Sequence, residues 1–469
     1  MVKRPTSTWR TALAGALLAI LCAAPLGAQE TERPWQPFHP DNLRFRLDVT
    51  TARPLSMGGA AIALPDDPSA TALNPAGTAL FNRPAFSFST RFRREESREP
   101  SFGLGDLGDE ATSTQSFFDQ VFLNAVLPVF GLRLSSHREV VMDSRLALHR
   151  LRPFLADPGK SLDAVLAEAF PSRATTLRIQ VVDNTGTAAY RFSERLNVGV
   201  TVRLTRMEYV LSEREYLATE LPDPGIVFGE VSQIRDDHLY LMRAIDERAW
   251  KAGFGVGLLS RVNSRLLIGA VYHYYPTFTL DQRLHFPDWT IRRGGQSRAF
   301  AAPASNGTAS RIDFNLPDLL GFGLTYKYPG WLNAAVDVRR VAYSQMLEMG
   351  RDRDGRDFRD IVQDGSDDAP DVVLEDVWQL RAGMEYILKL PVYPGRLPLR
   401  LGWYRDPAHR MHAAAENDPL LRAALPEGED LHHVTGGFGI FLNAQSRFDL
   451  AVDVSARRFE LLVTSAYTF

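Results

Sequence analysis

Hydrophobic and polar residues alternate along most of the chain from about residue 84 onwards. The clearest such segment is 320–328, and the turn signal Pro329-Gly330 separates it from a second one at 331–346. A period of two residues predicts β-strands with two different faces. Leu and Val on one face and charged residues on the other are typical of strands between lipid and a polar lumen. The predicted lipid-facing residues include Leu324, Val336, Leu380 and Leu450, and the predicted lumenal ones include Thr325, Asp337, Arg381 and Asp449.

About fourteen segments carry this alternation, an even number, as in bacterial outer-membrane barrels. The connections between them are alternately short and long, which is typical of periplasmic turns and external loops. The predicted fold is therefore all-β, a transmembrane antiparallel β-barrel with both ends on the periplasmic side. The predicted strands lie near 84–94, 116–128, 132–143, 174–192, 196–212, 248–262, 266–286, 309–328, 331–346, 373–389, 396–406, 431–443, 447–455 and 458–469.

The last predicted strand ends on an aromatic residue, Phe469, after Phe459, Leu461, Val463 and Tyr467 at every second position. This pattern resembles the closing strand of bacterial outer-membrane barrels, which the barrel-assembly machinery recognises. An edge strand in a soluble sandwich is the alternative explanation.

The amino-terminus has the features of a secretory signal. Lys3, Arg4 and Arg10 precede an apolar run at 12–24 that is too short to span a bilayer, and a small-residue cleavage site ends at Ala28. The predicted domains are a signal peptide at 1–28, an N-terminal extension and hatch at 29–82, and the barrel at 83–469.

The composition agrees with a barrel. Hydrophobic residues make up 45% of the chain and the mean hydropathy is -0.17, which is too polar for a helix bundle in lipid. A barrel has this composition because lipid-facing and lumenal residues alternate. The net charge of -3 becomes -6 once the three basic residues of the signal are removed, which argues against nucleic-acid binding.

The segment before the first strand, 52–77, consists mostly of small, weakly polar residues. Gly58-Gly59 lets the backbone pass close to its surroundings, and Asp66 or Asp67 is expected to cap a short helix that ends at Asn74. Such a segment is able to pack inside a barrel as a plug. The predicted hatch residues are Gly58, Gly59, Asn74, Pro75, Ala76 and Gly77.

Several elements resemble a known family, the FadL/TodX outer-membrane transporters of long-chain fatty acids and aromatic hydrocarbons. Gly58-Gly59-Ala60, Asp66-Asp67-Pro68-Ser69-Ala70 and Asn74-Pro75-Ala76-Gly77 are similar to that family's N-terminal hatch. Asn315-Leu316-Pro317-Asp318 resembles its Leu-Pro-Asp element at the start of a central strand, and Ala335-Val336-Asp337-Val338 is similar to the strand that follows.

The resemblance implies a fourteen-stranded barrel whose lumen is closed by the hatch. A hydrophobic substrate would be captured outside, enter the lumen and leave sideways through a gap in the wall. A fatty acid gains about 0.8 kcal/mol per buried CH2 group, so a water-filled pore is the wrong path for it. The predicted function is passive transport of hydrophobic small molecules, long-chain fatty acids or hydrocarbons, across the bacterial outer membrane.

Two alternatives remain open. The PorV-type barrels of type IX secretion carry a similar hatch motif, so a component of a protein secretion or sorting system is the second hypothesis. A structural barrel without a transport role is the third.

External capture is predicted in the loop at 213–247, which is more apolar than a solvated loop requires. Phe228, Leu239 and Tyr240 are the candidate residues, together with an amphipathic helix near Leu166. The alternative is that these residues bury one another in a cap on the barrel rim.

A lateral gate is predicted in the fourth strand, at Asp183, Asn184, Thr185 and Gly186. Apolar residues are odd-numbered before this run and even-numbered after it, so one extra residue here, a β-bulge, would keep both halves facing lipid. A bulge would also break the hydrogen bonding of the wall.

Other chemistry is weakly represented. The sequence predicts no catalytic residues, since His273 has no recognisable serine or acid partner by spacing. His409 and His412 are assigned to a polar external loop rather than to a metal site, and no cofactor is predicted. The expected partners are the hydrophobic substrate, outer-membrane lipid and lipopolysaccharide, and the barrel-assembly machinery, with no nucleic acid.

Overall fold

The computed structural model describes residues 47–64, 67–102, 107–150, 172–216, 239–285, 287–293, 296–300, 309–348, 372–389, 396–409, 412–413 and 427–469. The predicted signal peptide and the predicted helix near Leu166 lie outside these residues.

Twenty strands are assigned within the described residues, and sixteen of them form one antiparallel sheet. They are β1 Ala85–Phe102, β2 Leu107–Val129, β3 Leu132–Arg150, β4 Ser172–Arg191, β5 Leu196–Tyr216, β6 Leu239–Arg261, β7 Leu266–Tyr274, β8 Thr277–His285, β9 Trp289–Arg293, β10 Gln296–Phe300, β11 Ala309–Asn315, β12 Leu319–Tyr328, β13 Leu332–Val341, β14 Val372–Val373, β15 Val377–Lys389, β16 Arg396–Asp406, β17 His412–Ala413, β18 Leu431–Phe441, β19 Ser446–Val454 and β20 Arg458–Thr468.

The sheet closes on itself because β1 pairs with β20 along its turn-end half, from Ala85 to Glu95. β7 and β8 run end to end against β6, and β11 and β12 run end to end beside them, so each pair occupies one position in the wall. The barrel therefore has fourteen strands, as the alternation predicts. The breaks fall at Pro276 and at Pro317, residues that cannot donate a ladder hydrogen bond.

The two faces of the wall follow the predicted alternation where it was clearest. Leu324 and Val336 are each 44% exposed on the outside, whereas Thr325, Asp337 and Asp449 are 0% exposed on the inside. The prediction for these residues is confirmed. No helix within the described residues is long and apolar enough to cross a membrane.

Residues 47–82, here called the inner segment, precede β1 and pack against the lumenal face of the wall. They contain helix α1 Ala52–Ser56 and two 3₁₀ helices, Pro68–Ala72 and Pro75–Leu80. Asn74 begins the second 3₁₀ helix, since its Oδ1 accepts from the N–H of Ala76 at 3.0 Å. The expectation that Asn74 ends a helix is therefore incomplete, because Asn74 also begins the next one.

Candidate functional site

Glycines on the lumenal faces of the strands allow the inner segment to approach the wall. A Cβ atom on Gly402 would overlap the backbone of Gly58, and one on Gly199 would overlap that of Pro75. Gly58 also has a φ of 66°, a conformation that favours glycine. On β5, β6 and β12 the two-residue alternation places glycines on the lumenal face. The packing of the inner segment against that face explains why these positions are glycine.

Hydrogen bonds from the inner segment's backbone end on lumenal side chains of distant strands. The N–H groups of Ala61 and Ile62 donate to Asp337 Oδ2 at 2.8 and 3.0 Å. The N–H of Gly58 donates to Thr435 Oγ1 at 2.9 Å. A segment with little regular structure thus satisfies its buried donors through the wall.

Buried ion pairs hold the same segment at two further places. Arg53 Nη2 lies 2.8 Å from Glu385 Oε1, and Asp48 Oδ2 lies 2.7 Å from Arg91 Nη1. Arg458 Nη2 lies 3.1 Å from the other oxygen of Asp48. Removing one member of such a pair leaves a buried charge without its partner, which is strongly destabilising.

A large apolar cluster occupies the lumen at the end of the barrel from which the long connections leave. Its members come from β3 to β8, β11 to β13, β15, the inner segment and the short segments between strands, where an ordinary porin lumen is polar. Leu177, Ile179 and Val181 of β4 are each at most 4% exposed and point into it. The other members include Val141, Met142, Met207, Ile245, Tyr275, Phe278, Leu280, Phe314, Leu316, Tyr343 and Met346.

Beside this apolar cluster, Arg203 forms the centre of a buried polar group. Its Nη1 lies 2.6 Å from Asp183 Oδ2 and 3.7 Å from Glu139 Oε1, and its Nη2 lies 2.8 Å from Nδ1 of His273. The guanidinium also lies over the ring of Tyr275, 5.2 Å from the centroid. One cation here faces two carboxylates, so the group offers no spare positive charge.

A seam interrupts the wall between β2 and β3. Within the described residues, their pairing stops at Phe122 opposite Glu139, although β2 extends to Leu107 and β3 to Arg150. The outer edges of both strands remain paired, to β1 and to β4. We call this unpaired stretch the seam.

A β-bulge at Val141 lies beside the seam. The register of β3 on β4 shifts between Val140 and Met142, and the carbonyl of Val141 accepts the N–H of Asp48 at 3.0 Å. Val141 itself belongs to the apolar cluster. The bulge therefore connects the inner segment, the apolar lumen and the interrupted wall.

The prediction of a bulge at Asp183–Gly186 is wrong. These residues of β4 pair without a shift to β5, and on the β3 side with His137, Glu139 and their neighbours. The change in parity has another cause: the apolar residues before it face the apolar lumen, and those after it face lipid. The break in the wall lies one strand earlier.

The predicted capture residues are described only in part. Phe228 lies outside the described residues, while Leu239 and Tyr240 begin β6, with Leu239 opposite Tyr216. External capture at these residues stays a prediction.

Among known families, the model of the outer membrane protein transport proteins (OMPP1/FadL/TodX) matches residues 167–391. This range runs from before β4 to just after β15 and includes much of the apolar cluster and, apart from Glu139, the Arg203 group. The sequence matches none of the characterised proteins with which it was compared.

Solved structures share the fold along nearly the whole chain. A FadL homologue of Pseudomonas aeruginosa is 15% identical, with a TM-score of 0.60 over 91% of this chain and 99% of its own. The toluene transporter TodX of Pseudomonas putida is 16% identical, with a TM-score of 0.55 over 90% and 98%. The toluene transporter TbuX of Ralstonia pickettii is 15% identical, with a TM-score of 0.50 over 90% and 99%. This fourteen-stranded outer-membrane barrel is therefore similar to the FadL/TodX transport proteins in sequence over residues 167–391 and shares their fold along nearly its whole length.

Proposed function

We propose that the protein carries small, uncharged hydrophobic molecules passively across the outer membrane, with the inner segment as a hatch and the seam as a lateral exit. The observation that carries this proposal is the apolar cluster inside the barrel. Leu177, Ile179 and Val181 are buried where a water-filled pore would have polar residues. A molecule that gains about 0.8 kcal/mol per buried CH2 group is favoured in such a lumen and excluded from a wet one.

The Arg203 group supports an uncharged substrate over a fatty-acid anion. A carboxylate near Arg203 would meet Asp183 and Glu139, which already neutralise the guanidinium at 2.6 and 3.7 Å. Two like charges in a buried site repel each other strongly because the local dielectric constant is low. The toluene transporters TodX and TbuX, which share the fold, are named for an uncharged aromatic hydrocarbon.

The hatch role rests on how the inner segment is held. Its backbone N–H groups donate to Asp337 and Thr435 on two different strands, and its Arg53 side chain is paired with Glu385 on a third strand. A segment tied at many points across the lumen obstructs the direct path to the periplasm. Deleting 56–80 is expected to turn a nearly closed barrel into an ion-conducting pore, which planar-bilayer recording would detect. Unchanged low conductance of the folded deletion variant would refute the hatch role.

The exit role rests on the position of the seam. Unpaired strand edges and a bulge next to the apolar cluster provide a route from the lumen into lipid without crossing water. Interrupted pairing is tolerated here because it borders a lumen lined by the protein's own side chains.

A crosslinking experiment tests the exit. Cysteines at Gln120 and Val141, across the seam, would be joined by a flexible bifunctional maleimide, and uptake of labelled toluene into cells would be measured. The matched control joins Ala125 and Ser136, which are partners in the intact part of the same ladder. We expect the seam crosslink to abolish most uptake and the control to leave it unchanged. Full uptake through the crosslinked seam would refute lateral exit there.

A further inference from the structure

The turn end of the barrel carries a ring of basic residues. Ten basic side chains lie in the short turns or within two residues of a strand's turn-end terminus, against a single acidic one, Glu194. Because short hairpin turns of outer-membrane barrels face the periplasm, the ring surrounds the periplasmic mouth. We call these residues the basic ring: Arg83, Arg133, Arg191, Arg195, Arg261, Arg265, Lys327, Lys389, Arg396 and Arg447.

At one place the basic ring borders a pocket of about 190 Å³. Its apolar floor consists of Leu80, the last residue of the second 3₁₀ helix, with Leu259 and Leu267 from the wall. Arg191 and Arg261 line it together with Glu194 and Asn197. The pocket, here called the mouth pocket, thus combines an apolar floor with two cations at its edge.

The polar groups of the mouth pocket have unused hydrogen-bonding capacity. Asn197 is 8% exposed, and its Oδ1 is buried without a hydrogen-bond partner in the described part of the chain. Other cations of the ring are engaged: Arg133 donates to the carbonyl of Phe81 at 2.5 Å, and Arg447 is paired with Asp449 at 2.6 Å. Among the described residues, no ion pair or side-chain hydrogen bond involves Arg191 or Arg261.

We propose that the mouth pocket binds a small amphiphilic carboxylate from the periplasmic side. The floor takes the first carbons of the apolar part, and the guanidinium groups of Arg191 and Arg261 take the carboxylate. The amide of Asn197 supplies a further hydrogen bond, because its oxygen and nitrogen exchange places by a flip of the side chain. A pocket of about 190 Å³ has room for the carboxylate and the first carbons of the chain.

Charge balance favours a monoanion. Two guanidinium groups and the carboxylate of Glu194 leave the pocket with one net positive charge, which a monocarboxylate neutralises. Inorganic phosphate near neutral pH carries more charge and has no apolar part for the floor. The site lies at the periplasmic mouth beside the end of the inner segment and takes a different class of molecule from the apolar cluster, so it does not depend on the proposed transport function.

The test is a ligand-observed NMR titration of the full barrel in nanodiscs of uncharged lipid. Hexanoate, 1-hexanol and inorganic phosphate are the three probes. We expect hexanoate to bind at least tenfold more tightly than either of the others, and the double variant R191Q/R261Q to lose at least tenfold in hexanoate affinity. The matched control is Arg195→Gln, which removes a cation of the same ring that does not line the pocket. This variant should change the affinity less than twofold.

Several results would overturn the proposal. Equal binding of hexanol would reduce the site to its apolar floor, and equal binding of phosphate would reduce it to a general anion site. A loss in the Arg195→Gln variant as large as that in the double variant would assign the effect to the whole ring. Absence of hexanoate binding at millimolar concentration would refute the proposal. Heat-modifiable migration on gels checks that each variant forms the barrel.

Discussion

Asp337 links two backbone groups of the inner segment to the wall, and its removal should open the barrel. Its Oδ2 accepts the N–H groups of Ala61 and Ile62 at 2.8 and 3.0 Å, and the residue is 0% exposed. Hydrogen bonds to a charged group contribute about 1.5–3 kcal/mol each. Asp337→Ala therefore destabilises the closed barrel, in which the inner segment is bonded to the wall, by about 3–6 kcal/mol relative to the open one. Every 1.4 kcal/mol is a factor of about ten, so the open population should rise by about 10²–10⁴.

The variant Asp337→Asn provides a graded comparison. It keeps an acceptor oxygen for both N–H groups but loses the charge, which roughly halves the strength of such bonds. We therefore expect an increase in open population of about 10–10² for this variant. Asp430→Ala is the control, because Asp430 lies at the loop end and pairs with Arg405, away from the inner segment.

Single-channel recording in planar bilayers measures the effect as the frequency of conducting events. The expected order is wild type and Asp430→Ala lowest, Asp337→Asn intermediate and Asp337→Ala highest. If Asp337→Ala forms a folded barrel that conducts no more often than the wild type, the inner segment is not held by these bonds and the argument fails.

Three further predictions concern the lumen and the lipid face. Ile179→Asn places an amide in the apolar cluster, so uptake of labelled toluene should fall severalfold in cells with unchanged barrel levels. Gly402→Ala forces a Cβ against the inner segment and should cost about 1–3 kcal/mol in urea unfolding, whereas Gly436→Ala, whose nearest neighbour would be 3.7 Å away, should be nearly neutral. Leu324→Arg on the lipid face should cost about 2–4 kcal/mol in the same assay, and Tyr328→Arg, at the end of the strand, no more than about 1 kcal/mol. Equal costs of Gly402→Ala and Gly436→Ala, or of Leu324→Arg and Tyr328→Arg, would contradict the positions assigned to these residues.

Much of the wall was predictable because the bilayer imposes one rule on every strand. Where lipid lies on one side and polar lumen on the other, as around Leu324 and Thr325, hydrophobicity alone fixes which way each residue points. The same rule gave the strand number and most turn-end boundaries. Several strands extend further at the loop end than predicted, because there the sequence no longer alternates so clearly.

The same rule fails where the lumen itself is apolar. On β4, Leu177, Ile179 and Val181 have the hydrophobicity of lipid-facing residues but face inward, so the alternation rule predicts an extra residue where the environment itself changes. No local pattern separates these two explanations, since both shift the parity of the apolar residues by one. Only the pairing with β5, which continues without a shift, decides between them.

The bulge at Val141 left a signal in the sequence. Val140, Val141 and Met142 are three consecutive apolar residues in an otherwise alternating strand, and all three are buried. An alternating strand cannot bury three neighbours on one face, so such a run requires either an extra residue or a buried environment on both sides. In β3 the first condition holds: the register shifts at Val141, whose carbonyl accepts the N–H of Asp48 of the inner segment. A triplet of this kind in an otherwise alternating strand therefore predicts a bulge in the wall.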